Sequence, residues 1–149
     1  GMESYKASDY ERALADYQAA TRKAPKDIEA TGMIGLCQAQ LGDLDNGRKN
    51  LERFLAASET KSGFMLHEAG RVYGKLFKEY DRAIMILNDA VVAHWASDCW
   101  DYLEMADIYL AMGKPAMAKE TYRKAYAIAQ QSQDAKGVEA ALLGIAKTD

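Results

Sequence analysis

The strongest constraint on the fold is a pattern that recurs about every 35 residues along the chain. The letters DYERA at 9–13 return as EYDRA at 79–83, with weaker copies at 43–47 and 114–118. Small residues close these copies at intervals of 34, 36 and 35 positions: Ala13, Gly47, Ala83 and Ala118. Four positions later comes a large residue: Tyr17, Leu51, Leu87 and Tyr122. A third column follows three positions further on: Ala20, Phe54, Ala90 and Ala125. Offsets of four and seven place all three columns on one helix face.

The local signals between these columns are those of helices and short turns. Only two prolines occur, Pro25 and Pro115, and no strand-like alternation of apolar and polar residues persists. Turn signals such as Gly42-Asp43 separate the helical stretches, and aspartates stand where N-caps are expected. A period near 34 residues, made of helix pairs, is typical of a solenoid. We therefore predict an all-α protein with seven or eight antiparallel helices and no β-sheet.

The repeated segments resemble the tetratricopeptide repeat (TPR) family. The first half of its motif, W-x2-L-G-x2-Y, is similar to residues 66–73 and 102–109, with a degenerate copy at 31–38 and a last copy at 140–147. The second half, A-x3-F followed by proline, is similar to Ala13-x3-Tyr17 with Pro25. The proline that ends a repeat is missing at Glu59, Trp95 and Gln130. The resemblance covers almost the whole chain and implies a right-handed α-α superhelix (solenoid) of tetratricopeptide-type helix pairs.

The register of these copies gives the expected domain organisation. We expect a single TPR-like domain over residues 2–149, with a partial repeat at 2–27. Full repeats are expected at about 28–60, 61–96 and 97–133, followed by a C-terminal capping helix at about 135–147. Gly1 before Met2 is interpreted as a scar of tag removal. The incomplete first repeat predicts uncovered apolar surface at that end.

A second stripe on the first helices of the repeats gives the candidate site. In the family that the chain resembles, this face lines a concave groove that holds ligand peptides. The expected partner-binding groove consists of Leu36, Phe64, His67, Arg71, Trp100, Leu103 and Asp107. Arg71 and Asp107 occupy equivalent positions in adjacent repeats, so we expect them to pair across it. The alternative is that Trp100 and Phe64 only fill gaps between repeats, since aromatic residues at helical spacing are usually core.

Neither a metal nor a cofactor is expected. His94, Asp98, Cys99 and Asp101 are the group with metal-ligand chemistry, but their spacing matches no structural zinc pattern. Loop polarity and helix capping are the expected roles of these residues. Because the sequence contains no Gly-rich phosphate loop, nucleophile elbow or HExxH, we expect no catalysis. Cys37 and Cys99 are predicted to be unpaired, since a full repeat separates their helices.

Charge and hydropathy restrict the partners. The net charge is −3 with a sequence pI of about 5.5, which does not favour nucleic acid. Apolar runs are too short to span a bilayer, so no membrane partner is expected. The leading hypothesis is a cytoplasmic, non-catalytic module that binds a peptide or helix of a partner protein. The alternative is a structural, weakly self-associating scaffold or a fragment of a larger TPR protein.

Overall fold

A computed structural model describes all 149 residues and shows nine α-helices and no strand. The all-α prediction is confirmed. The helices are α1 (Met2–Lys6), α2 (Tyr10–Lys23), α3 (Ile28–Gln40), α4 (Leu44–Ala56), α5 (Gly63–Lys75), α6 (Tyr80–Ala93), α7 (Cys99–Ala111), α8 (Pro115–Gln131) and α9 (Ala135–Lys147). The expected count of seven or eight was too low, because the segment before the first repeated column forms the five-residue helix α1.

The helices form two compact units, Gly1–Lys61 with α1–α4 and Ser62–Asp149 with α5–α9. In the first unit α3 packs mainly on α4, and α2 packs on α3. In the second unit α5 pairs with α6, α7 pairs with α8, and α9 packs on both α7 and α8. The division into repeats at 28–60, 61–96 and 97–133 within a single domain stays a prediction.

Aspartate side chains begin most of the helices. Asp27 accepts hydrogen bonds from the backbone of Glu29 and Ala30, and Asp43, Asp98 and Asp134 cap α4, α7 and α9 in the same way. These bonds satisfy amide groups that have no partner inside the helix. Pro115 occupies the start of α8, where a missing amide hydrogen costs nothing. The connections are short, so consecutive helices within each unit pack against each other.

The columns found in the sequence form the contacts inside the helix pairs. Ala83, Leu87 and Ala90 are fully buried, as are Ala118 and Ala125 of α8. A Cβ added to Gly70 would lie 2.6 Å from Cγ of Leu87, and one added to Gly35 would lie 2.9 Å from Cγ of Leu51. The small residues therefore let the first helix of a pair approach the large residue of the second. The two cysteines are buried, free thiols.

Candidate partner-binding site

The predicted groove residues of the second unit lie on α5 and α7. Phe64 is half-buried, whereas the side chain of Arg71 is about half exposed. Trp100 retains 39% of its surface, and Asp107 is also exposed. All four side chains keep part of their surface exposed to solvent.

Leu36 and Leu103 are both buried. Leu36 is 0% exposed and Leu103 is 5% exposed. On α3 the apolar residues are buried around most of the helix, so the second stripe at Leu36 is core as well. Leu103 belongs to the apolar core formed with Tyr122 and Ala125 of α8. Leu36 is thus a core residue, whereas Leu103 also lines the edge of a pocket, and the groove assignment stays a prediction.

The pocket lies between α7, α8 and α9 and has a volume of about 210 Å³. It is lined by Trp100, Leu103, Glu104 and Asp107 of α7, Tyr122 of α8, and Ala140, Leu143, Gly144 and Lys147 of α9. A Cβ on Gly144 would lie 2.3 Å from the Tyr122 ring, so the glycine allows α9 to pack on that ring. Three of the predicted residues, Trp100, Leu103 and Asp107, thus share one cavity with residues of α9 that the groove assignment omitted.

Trp100 is held in a defined orientation at this pocket. Its Nε1–H donates to Oδ2 of Asp134 over 2.9 Å, and the other oxygen of Asp134 accepts from the backbone of Gly137 over 3.0 Å. The hydrogen bonds from Gly137 and from the Trp100 indole hold the pKa of the Asp134 carboxyl below its usual value. The N-cap of α9 therefore also fixes the exposed indole of α7.

The charged residues pair differently from the expectation. Arg71 Nε lies 3.4 Å from Oε1 of Glu104, and Lys75 Nζ lies 3.6 Å from the same oxygen. The predicted Arg71–Asp107 pair is thus replaced by Arg71–Glu104, because Asp107 lies one turn further along α7 and accepts a hydrogen bond from the Tyr122 hydroxyl. Burial, the bond to Asp107 and the nearby carboxylates raise the pKa of Tyr122.

His67 has a buried partner that the sequence analysis did not identify. Its Nδ1 lies 2.8 Å from Oδ1 of Asp101, and Nδ1 of His94 lies 2.6 Å from Oδ2 of the same carboxylate. Burial lowers the pKa of His67, but the bond to Asp101 and the nearby carboxylates outweigh it and raise the pKa overall. His67 and Asp101 are 34 residues apart, and this repeat period was the signal that could have placed them together.

Paired helices, stacked through columns of small and large residues, define a helical-repeat protein. The chain belongs to the tetratricopeptide repeat family. Residues 1–61 match one model described as tetratricopeptide repeat, and residues 102–132 match a second with the same description. The fold is that of a module for interactions between proteins.

Solved structures share this fold over nearly the whole chain. The protein in the crystal structure of MamA is 20% identical in sequence to this chain. The two structures superpose with a TM-score of 0.66, and the match covers 98% of this chain and 90% of MamA. A thermophilic TPR protein in Thermus thermophilus is 19% identical, with a TM-score of 0.71 over 99% and 86% of the two chains. A tetratricopeptide repeat protein from Parabacteroides merdae is 22% identical, with a TM-score of 0.60 over 97% and 60%. At these identities the likeness concerns the fold alone.

No curated protein sequence matches the chain. None of the nine helices combines the length and the apolar character that crossing a membrane requires.

Proposed function

We propose that the chain is a non-catalytic interaction module that binds a segment of a partner protein at the pocket between α7, α8 and α9. The observation that carries this proposal is Trp100, a large aromatic residue that remains 39% exposed beside the pocket while its indole is hydrogen-bonded to Asp134. Tryptophan is enriched among the residues that dominate binding energy at protein interfaces. A fixed indole also loses little conformational freedom when a partner covers it.

Of the charged residues that line the pocket, Glu104, Asp107 and Lys147, it is Asp107 that favours a partner segment with a basic side chain. Glu104 is already paired with Arg71 and Lys75. Asp107 instead accepts from the neutral hydroxyl of Tyr122, so its charge is available to an incoming lysine or arginine. We infer that the partner segment places an apolar side chain against Trp100 and a neighbouring cationic side chain against Asp107. The charge would contribute mainly to specificity and to the rate of association.

Partner capture followed by affinity measurements tests this function. Proteins retained by the immobilised chain are identified by mass spectrometry, and the retained segment is then titrated against purified variants. We expect Trp100→Ala to weaken binding by at least about tenfold, as for a residue worth more than ~1.4 kcal/mol. Asp107→Asn should weaken binding to a basic segment and reduce its dependence on salt.

Trp95→Ala is the matched control, since Trp95 is 90% exposed and does not line this pocket. If the partner segment bound the Trp100→Ala variant and the unmodified chain with equal affinity, the proposal would be contradicted.

Self-association is the second candidate function. Leu142 and Leu143 of α9 are 50% and 58% exposed, which leaves apolar surface on the last helix. A scaffold that associates through this helix should give a molar mass that rises with concentration in light scattering. The double change Leu142→Lys and Leu143→Lys should then abolish the rise, whereas a constant monomer mass would remove this candidate.

A further inference from the structure

The only two histidines of the chain face the same carboxylate. His67 belongs to α5, and His94 follows the end of α6, yet the Nδ1 atoms of both lie within 2.8 Å of an Asp101 oxygen. Asp101 is in the first turn of α7 and is 0% exposed. Three segments of the second unit therefore converge on one buried acidic group.

A buried carboxylate is a poor means of gaining stability. Removing a carboxylate from water carries a desolvation cost that paired groups often only balance, and apolar residues of the same volume frequently stabilise a core as well or better. An Asp101 that served packing alone would be replaceable by such a residue. The cluster of His67, His94 and Asp101 therefore suggests a role in which imidazole nitrogens and carboxylate oxygens bind a ligand.

A third ligand completes a donor set for a metal ion. Oδ2 of Asp98 lies 3.7 Å from Nδ1 of His94, and the ligand atoms of His94, Asp98 and Asp101 all lie within 4.8 Å of one another. One imidazole and two carboxylates suit a divalent transition-metal ion such as Zn²⁺, and the two negative charges balance the ion. We propose that His94, Asp98 and Asp101 form a binding site for such an ion.

The separations between the donors are compatible with this ion after small movements. Tetrahedral coordination with bonds of about 2.0–2.2 Å places ligand atoms roughly 3.4 Å apart. The His94–Asp101 separation of 2.6 Å must widen, and the His94–Asp98 separation of 3.7 Å is already close to that value. Ligation through Nδ1 of His94 requires the neutral imidazole that carries its proton on Nε2, and protons exchange with solvent as the ion binds.

Two further residues position the ligands. His67 donates to Oδ1 of Asp101, so Oδ2 is left facing His94 and Asp98. Hydrogen bonds of this kind orient the ligating carboxylates of metal sites. On the other side, a Cβ at Gly63 would lie 2.2 Å from Nε2 of His94. The His94 imidazole can therefore occupy this position only because residue 63 has no side chain. We regard His67 and Gly63 as positioning residues.

The site is open to solvent on one side. The side chains of His94 and Asp98 are 25% and 36% exposed, whereas that of Asp101 is 0% exposed. An ion can therefore enter past His94 and Asp98, and water can complete the coordination. Three protein ligands with one position left for water differ from the closed, four-ligand arrangement of structural zinc sites.

Zn²⁺ titration of the whole chain by calorimetry tests the proposal, with Co²⁺ absorption as the report on coordination geometry. We expect one ion per chain, and Co²⁺ bands of tetrahedral type. His94→Gln keeps a donor toward Asp101 but removes the ligating imidazole. Asp98→Asn keeps an N-cap for α7, since asparagine caps as well as aspartate, but removes the charge. Both variants should lower Zn²⁺ affinity by at least about tenfold, and His67→Gln by roughly 10–100-fold.

Asp89→Asn is the control, because it removes an exposed acidic residue of α6 that belongs neither to the cluster nor to the pocket beside Trp100. Its affinity for Zn²⁺ should equal that of the unmodified chain. Absence of Zn²⁺ binding by the folded, unmodified chain would overturn the proposal. So would an affinity that His94→Gln and Asp98→Asn both leave unchanged while circular dichroism shows all variants folded. The Zn²⁺ titration contains no partner segment, and the partner titration contains no Zn²⁺. Failure of one proposal is therefore distinguishable from failure of the other.

Discussion

At the scale of single residues, the two tryptophans have opposite surroundings. Trp100 is partly covered and hydrogen-bonded to Asp134, whereas Trp95 is 90% exposed in the connection between α6 and α7. Trp100→Ala should therefore lower the free energy of unfolding by less than the ~3–5 kcal/mol typical of a fully buried aromatic residue. Trp95→Ala should change it by no more than about 0.5 kcal/mol. Urea unfolding of both variants measures this, and a core-sized loss for Trp100→Ala would assign that residue to packing.

Asp134 gives a pH dependence whose sign follows from its lowered pKa. Its carboxylate accepts from Gly137 and from the Trp100 indole, and the folded-state pKa lies below the usual 3.8. A depressed pKa stabilises the folded state above the unfolded-state value, and this contribution is lost as pH falls through the folded-state pKa. The stability difference between the unmodified chain and Asp134→Asn should thus shrink below about pH 4. Urea unfolding at pH 6 and pH 3 measures it, and a difference that grew toward acid would contradict this assignment.

At the scale of helices, the close approach within a pair depends on glycine. A Cβ at Gly35 would lie 2.9 Å from the backbone oxygen of Gly47 and from the backbone nitrogen of Leu51 on α4. Backbone atoms cannot move aside as the end of a flexible side chain can. Gly35→Ala should therefore destabilise by about 1–3 kcal/mol through overpacking. Helix propensity alone predicts the opposite sign, a gain of up to ~1 kcal/mol. Thermal or urea unfolding distinguishes the two, and a stabilised variant would show that α3 and α4 pack less closely.

At the scale of the whole molecule, the periodic columns made the helix pairs predictable. Their small and large members determine how closely two helices approach, and this property is visible in residue size alone. The candidate site was predictable only in part. Leu36 and Trp100 fall on the same stripe, but which of them is covered depends on how neighbouring helices pack. The partners of Arg71 and His67 depend on side-chain positions between helices, which spacing along the sequence constrains only to within a helical turn.

The central claim, that a partner binds at Trp100, can be tested directly because the chain has only two indole groups. Both give separate N–H signals in a ¹H–¹⁵N spectrum, and Trp95→Phe assigns them. Titration with the captured partner segment should shift the Trp100 signal, since its Nε1–H bonds Asp134 beside the pocket, and leave the Trp95 signal in place. A titration that shifts only the Trp95 signal, or neither signal at saturation, would contradict the account.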